Sequence, residues 1–279
     1  MRFKATIRAD SQVQRFTRFI TTISRINKDA TLRMAPGKLY FILVASDVSD
    51  GSVRVWAEVE AETIFDSFQI ESRHPNNEIL MEIGLENLQR ALRSASASND
   101  VVFRLTGDGG QPALTLTIKL ESRTAERTVI QNVPVALLSH ELTANYCEPD
   151  LPQPDINICL PSLKILSTII DRMKTLDKYV VLSANNEGEL RLQIEADAVS
   201  VCTSVTECEI PKSTDAEEQT RADDVFVSAR IDIKKFSQFL VGFQMSPTAV
   251  ICSIVPHRAV ILFLLSHEVS MTYYVPVIS

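Results

Sequence analysis

One order of elements recurs four times along this 279-residue chain, and it limits the folds open to it more than any other feature. A short alternating strand leads into an amphipathic helix, and several more alternating strands follow. In the first unit, residues 2–8 alternate polar and apolar side chains, which is the period of a strand. Asp10 or Ser11 can cap a helix reaching about residue 27, with Val13, Phe16, Ile20 and Ile23 at helical spacing. Residues 31–34, 39–44 and 53–60 read as strands, punctuated by Pro36-Gly37 and Ser49-Asp50-Gly51.

The second unit has a strand at 78–83, a helix at 85–95, and strands at 100–105, 113–120 and 127–132. Its glycine-rich Gly107–Asp108–Gly109–Gly110 lies between two strands with no helix or GK[ST] after it, so a hairpin turn is favoured over a phosphate loop. The third unit opens at 156–160, with Pro161 expected at the first helical position. Leu163, Leu166, Ile169, Ile170 and Met173 form its helical stripe, and strands follow at 179–184, 190–194 and 199–206. The fourth has a strand at 225–231, a helix with Phe236, Phe239, Leu240 and Phe243, and strands at 249–254, 259–265 and 269–275. A period of about 70 residues is a structural repeat, carried here by element order and not by identity.

Between the second and third units the pattern stops. Residues 133–155 contain Pro134, Pro149, Pro152 and Pro154 and read as a connector between a domain of residues 1–132 and one of residues 156–279. A polar, acidic stretch at 211–224 (PKSTDAEEQTRADD) reads as a surface loop.

The chain carries a net charge of −7, which argues against a phosphate-rich partner unless the cations are segregated. They are. Arg15, Arg18, Thr22 and Arg25 fall at spacings that place them on one face of the first helix. The second helix carries Arg90 and Arg93, the third Lys164, Thr168 and Arg172, and the fourth Lys234 and Lys235. The four helical stretches together hold +6, leaving −13 for the rest of the chain. Two readings stay open: four ordinary solvated faces, or one basic surface suited to phosphates without base readout.

Catalytic patterns are not found in the sequence. The histidines, His74, His140, His257 and His267, lack metal-ligand spacing, and the twice-occurring Ser-His-Glu puts neighbours on opposite sides of an extended chain. Trp56 sits in an alternating strand and reads as a packed aromatic. The five cysteines are scattered without a CxxC pair, which suits reduced thiols. The longest apolar run, 259–265, is too short to span a bilayer, and the N-terminus lacks a signal-peptide core.

Four strand–helix–strand units in two halves resemble the sliding clamps related to PCNA. The closer resemblance is to the Hus-type subunit of the heterotrimeric checkpoint clamp, the nine-one-one complex. It is carried by Met1-Arg2-Phe3-Lys4-Ala5, Thr31-Leu32-Arg33-Met34-Ala35-Pro36, Lys38-Leu39-Tyr40-Phe41-Ile42 and Asn77-Glu78-Ile79. Glu86-Asn87-Leu88, Arg90-Ala91-Leu92, Leu160-Pro161, Gly188-Glu189-Leu190, Asp232-Ile233-Lys234-Lys235, Gln238-Phe239-Leu240 and Pro247-Thr248 extend it in order. Segments 136–147 and 211–224 do not carry it.

The resemblance implies an α+β, PCNA-like fold of two similar domains, each of two β-α-β-β-β units, with the helices on one face of antiparallel sheets. It implies a non-enzyme without cofactor or metal, joined to two paralogous subunits in a ring around double-stranded DNA. A clamp loader, checkpoint and repair factors, and the nucleus (a cytosolic pool also being allowed) belong to the same expectation. The DNA-facing set would be Arg15, Arg18, Arg25, Arg90, Arg93, Lys164, Arg172, Lys234 and Lys235. Subunit contacts would come from edge strands at 126–132, with Val129 and Ile130, and at 178–184, with Tyr179, Val180, Val181 and Leu182. For the second segment an ordinary internal strand is the competing reading. A partner groove would involve Tyr40, Ile42, Pro247, Tyr274, Pro276 and Ile278. A PCNA-type homotrimer is the alternative within the fold, and a nucleic-acid enzyme the alternative outside it.

Overall fold

Within each unit a two-residue alternation gives way to a three-four spacing, and the backbone changes from strand to helix at that point. The computed structural model describes all residues except 45–52, 96–97, 99, 109, 121–126, 140, 143–145, 149–152, 197–198, 212–221 and 279. The first unit comprises β1 (Arg2–Ile7), α1 (Asp10–Ser24), β2 (Asp29–Ala35), β3 (Lys38–Val44) and β4 (Arg54–Glu60). A one-turn helix, α2 (Ala61–Ile64), and an additional strand, β5 (Ser67–Glu71), precede the second. That unit has β6 (Ile79–Gly84), α3 (Leu85–Ser94), β7 (Asp100–Asp108), β8 (Gln111–Leu120) and β9 (Arg127–Leu137).

The third unit is β10 (Ile156–Cys159), α4 (Leu163–Met173), β11 (Tyr179–Ala184), β12 (Leu190–Ala196) and β13 (Val199–Val205). The fourth is β14 (Val227–Asp232), α5 (Ile233–Leu240) with a 3-10 extension, β15 (Ala249–Val255), β16 (Ala259–Leu265) and β17 (Val269–Pro276). The fourfold order is therefore present, with α2 and β5 added. Their signal was faint because β5 offers only Phe68 and Ile70 as apolar alternates.

The chain separates into two compact units: Met1–Leu43 with Trp56–Glu148 and His267–Ser270, and Val44–Val55 with Pro149–Ser266 and Met271–Ser279. In the first, the strand order is β4-β3-β2-β6-β9-β8-β7-β1-β5. Helices α1 and α3 turn Val13, Phe16, Phe19, Ile20 and Ile23, and Leu85, Leu88, Ala91 and Leu92, into its core. Phe16 lies within 6.3 Å, centroid to centroid, of Phe19, Phe41, Phe65 and Phe103, so one ring ties helix and strands together. In the second unit, β10-β15-β16-β17 and β13-β12-β11-β14 form two sheets. There α4 buries Leu163, Leu166, Ile170 and Met173, while α5 buries Ile233, Phe236, Phe239 and Leu240.

Several local expectations change. Helix α1 begins at Asp10 with Ala9 at the cap and no side-chain cap bond, because Asp10 accepts from Gln14 Nε2 instead. Pro161 lies two residues before α4, whose cap is Ser162. Strand β9 continues to Leu137, pairing Val135, Ala136 and Leu137 with β6, so residues 133–137 belong to the sheet and not to the connector. The glycine-rich stretch joins β7 to β8 as a tight hairpin, with Asp108 opposite Gln111 and Gly110 at φ +94°. Of the acidic loop only Pro211 and residues 222–224 are described.

Candidate nucleic-acid interface

An amphipathic helix that gives one stripe to the core leaves the opposite stripe for solvent or a ligand. On α1, Arg15 and Arg18 are exposed, and Arg25 occupies the C-cap, where a cation complements the terminal carbonyls. Thr22 does not share that face: it is fully buried, and its Oγ1 donates to the Arg18 carbonyl at 3.0 Å. Helix α3 packs alongside α1, with Gln89 Nε2 donating to Thr21 Oγ1 at 3.1 Å. The two helices thus present Arg15, Arg18 and Arg25 together with exposed Arg90 and Arg93. Arg15 is ion-paired with Glu268, and Arg90 stands 3.7 Å from Glu86 one turn earlier. The second pair is solvent-exposed, worth only about 0.3–0.5 kcal/mol, so a phosphate could displace it.

In the second compact unit α4 packs on α5. Lys164, Thr168 and Arg172 are exposed on α4, and Lys234 on α5, while Lys235 is half-buried. Asp232 Oδ1 accepts from the backbone N–H groups of Lys234 (2.8 Å) and Lys235 (3.3 Å), so both lysines sit in a capped first turn. The Lys235 carbonyl is held in turn by Tyr273 O–H at 2.9 Å. Among the described residues, Arg18, Arg25, Lys164, Arg172 and Lys234 have no ion-pair partner. Ile165 (59% exposed) and Leu176 (47%) accompany them on the second unit's helix surface, a feature the charge pattern did not announce.

The edge strands divide. Among the described residues, 127–132 of β9 bond to β8 on one side only, and Ile130 is 63% exposed with Val129 half-buried beside it. Glu126, at the start of the expected segment, lies outside the described residues. The second expected edge is not an edge. Tyr179, Val180, Val181 and Leu182 belong to β11, which is bonded to β12 on one side and β14 on the other, with Val180 and Leu182 fully buried. Among the described residues the open strand of that sheet is β13, which pairs with β12 alone, and Val199 on it is 48% exposed. The sequence held one signal for this: the polar stretch after β13 marks where the chain leaves the sheet.

The expected groove residues fall into both compact units. In the first, Ile42 is buried and cannot line an open groove. Tyr40 is half-buried, 5.1 Å from the Trp56 ring, and the Arg33 guanidinium lies 5.5 Å over it. Arg33 forks onto Glu78 (3.1 and 2.8 Å) and also donates to the Tyr146 carbonyl at 3.4 Å, tying a connector residue to β2. The bond to Glu78 raises the guanidinium pKa further, and burial raises that of the Tyr40 phenol. In the second unit, Tyr274 packs with Phe263 on Val255, Ala259 and Ile261. Pro247, Pro276 and Ile278 are half-buried, and the Ile278 N–H donates to the Arg230 carbonyl at 2.8 Å.

Known proteins match this arrangement over its full length. The chain is 35% identical to human "Checkpoint protein HUS1", covering 100% of both chains. It is 30% identical to "Checkpoint protein hus1" of Schizosaccharomyces pombe, covering 99% and 98%. Its fold is that of solved proliferating cell nuclear antigens. The protein from Entamoeba histolytica superposes with a TM-score of 0.72 at 16% identity, covering 99% of each chain. That from Thermococcus kodakaraensis gives 0.71 at 15%, covering 99% of this chain and 100% of the other. The Hus1-like description matches residues 1–279, and with relatives of that identity aligned end to end, the chain belongs to the Hus1-like protein family.

Proposed function

We propose that this chain is a non-catalytic subunit of a heterotrimeric clamp that encircles double-stranded DNA in the nucleus and supports checkpoint signalling and repair. The observation that carries the proposal is the pairing of α1 with α3 and of α4 with α5: the first pair exposes Arg18 and Arg25, and the second Lys164, Arg172 and Lys234, with no ion-pair partner among the described residues. Such a surface neutralises phosphates and ignores base sequence, which is what a mobile ring requires. The checkpoint role rests on the names of the full-length relatives, and the ring on the clamp fold.

In this reading the helices line the channel, and a clamp loader opens the ring onto DNA. The open edges of β9 (residues 127–132) and β13 are the two surfaces at which paralogous subunits add their own strands. An unpaired edge with exposed Ile130 or Val199 is an aggregation hazard unless another strand covers it. The test is light scattering of the purified chain, alone and mixed with its two paralogues. A monomer alone and a 1:1:1 ring in the mixture is the expected pair of results; a self-assembled trimer overturns the assignment. Ile130→Lys and Val199→Lys should each abolish one different pairwise contact and leave the other intact.

A further inference from the structure

The two compact units differ at one strand edge. In the first, the outer side of β1 is covered by β5 through five residue pairs, from Arg2 opposite Glu71 to Thr6 opposite Ser67. In the second, β10 occupies the corresponding place in the repeat, and its last residue, Cys159, donates its backbone N–H to the Glu209 carbonyl at 2.8 Å. The segment following β13 thus touches β10 at Glu209, and the residue beside Glu209 is Cys208.

That segment is held from its other side as well. The Cys208 N–H donates to the Gly188 carbonyl at 2.9 Å, and its thiol lies 3.9 Å from the Val205 carbonyl. Gly188 has φ +82°, and a Cβ there would stand 2.4 Å from the Cys208 carbonyl oxygen, so only glycine permits this approach. Glu207 takes a left-handed conformation (φ 63°) to deliver the chain to this point. Segments joined by a backbone hydrogen bond run about 5 Å apart, which sets Cys159 beside Glu209 and one residue along the chain from Cys208. A disulfide spans Cα separations of about 4.4–6.8 Å. Both thiols are half-buried and neither is in a disulfide.

We propose that Cys159 and Cys208 form an oxidation site for hydrogen peroxide, at which an intramolecular disulfide staples the segment after the open strand β13 to β10. One thiolate attacks peroxide, breaking its O–O bond to give a sulfenic acid and hydroxide, which takes up the thiol proton. The second thiol displaces water from the sulfenic sulfur, forming the S–S bond. Two thiols are oxidised, and one peroxide is reduced to two waters. Burial raises both thiol pKa values, with Glu209 adding to Cys159 and Cys159 to Cys208. Thiolate, the form that attacks peroxide, is therefore disfavoured at both positions.

Three other cysteines make the test discriminating. Cys147 and Cys202 are more exposed, and Cys252 is fully buried opposite Ile158 with its thiol pushed up to about 12. The full chain is treated with hydrogen peroxide, alkylated, and digested without reduction. The expected product is one linked peptide pair through Cys159 and Cys208, lighter than its two parts by two hydrogens and released by dithiothreitol. It is lost in Cys159→Ser and in Cys208→Ser, and kept in the Cys147→Ser/Cys202→Ser variant. Links through other cysteines, separate oxidation of the two sulfurs without a bond, or no reaction at either overturns the proposal. Because the readout is a covalent bond in the isolated chain, it fails independently of the ring assignment.

Discussion

The first compact unit threads a connected set of aromatic rings through its core, whereas the core of the second is mainly aliphatic, although both follow one element order. Phe3, Phe16, Phe19, Phe41, Phe65, Phe68 and Phe103 form a continuous chain of ring contacts in the first. The second relies chiefly on leucine, isoleucine and valine, with Phe236 also buried and Phe239 lying 5.3 Å from Tyr273, centroid to centroid. The helix surfaces diverge in parallel: all five expected DNA-facing cations of the first unit are arginines, and three of the four in the second are lysines. The shared order therefore survives a change of both core and surface chemistry. Periodicity and layer geometry define this fold, and particular side chains do not.

The core contrast is open to the largest perturbation. Phe16→Ala removes a ring touching four others and should cost about 3–5 kcal/mol, read as a shift in the urea midpoint. Leu166→Ala at the equivalent helix of the second unit should cost about 2–5 kcal/mol and should fall below Phe16→Ala in the same measurement. The reverse order would show that the rings contribute no more than their area.

Charge reversal probes the helix surfaces next. In the assembled ring on duplex DNA, Arg18→Glu with Arg25→Glu should lower the slope of log affinity against log salt by about 2. Lys164→Glu with Lys234→Glu should lower it similarly, for every DNA sequence tested. Unchanged slopes in both would identify the two surfaces as ordinary solvated helix faces.

Capping gives a smaller effect with opposite signs in the two units. Asp232→Ala removes both cap bonds of α5 and should cost about 0.5–2 kcal/mol in thermal or urea unfolding. Helix α1 has no side-chain cap, so Ala9→Ser should stabilise by a fraction of that range. The smallest effect at neutral pH belongs to Cys252. Its thiol titrates near 9.0 when unfolded and at about 12 when folded. The folded chain thus keeps the proton longer, and the stability linked to it is full below 9 and declines as pH rises towards 12. Cys252→Ala should flatten that alkaline decline, measured by urea midpoints at stepped pH.

Much of the basic surface was legible from helical spacing alone, because three- and four-residue steps fix which side chains share a face. Thr22 escaped that rule: it is fully buried, since which flank of α1 is covered depends on packing with distant elements such as α3, whose Gln89 bonds to neighbouring Thr21. Tyr179–Ala184 misled for a related reason. Its apolar character is that of a buried strand, and strands at an edge awaiting a partner can look the same.

By itself the sequence determined the fourfold order, the helix faces, the segregation of cations from a −7 chain and, through blocks spread along its length, the family. Only the tertiary structure decided which strands are edges, that β9 reaches Leu137, and that β13 rather than β11 is open. Side-chain alternation records which face of a strand is buried, a local property. Whether its backbone edges are satisfied depends on which distant strands arrive beside it, and no local pattern encodes that.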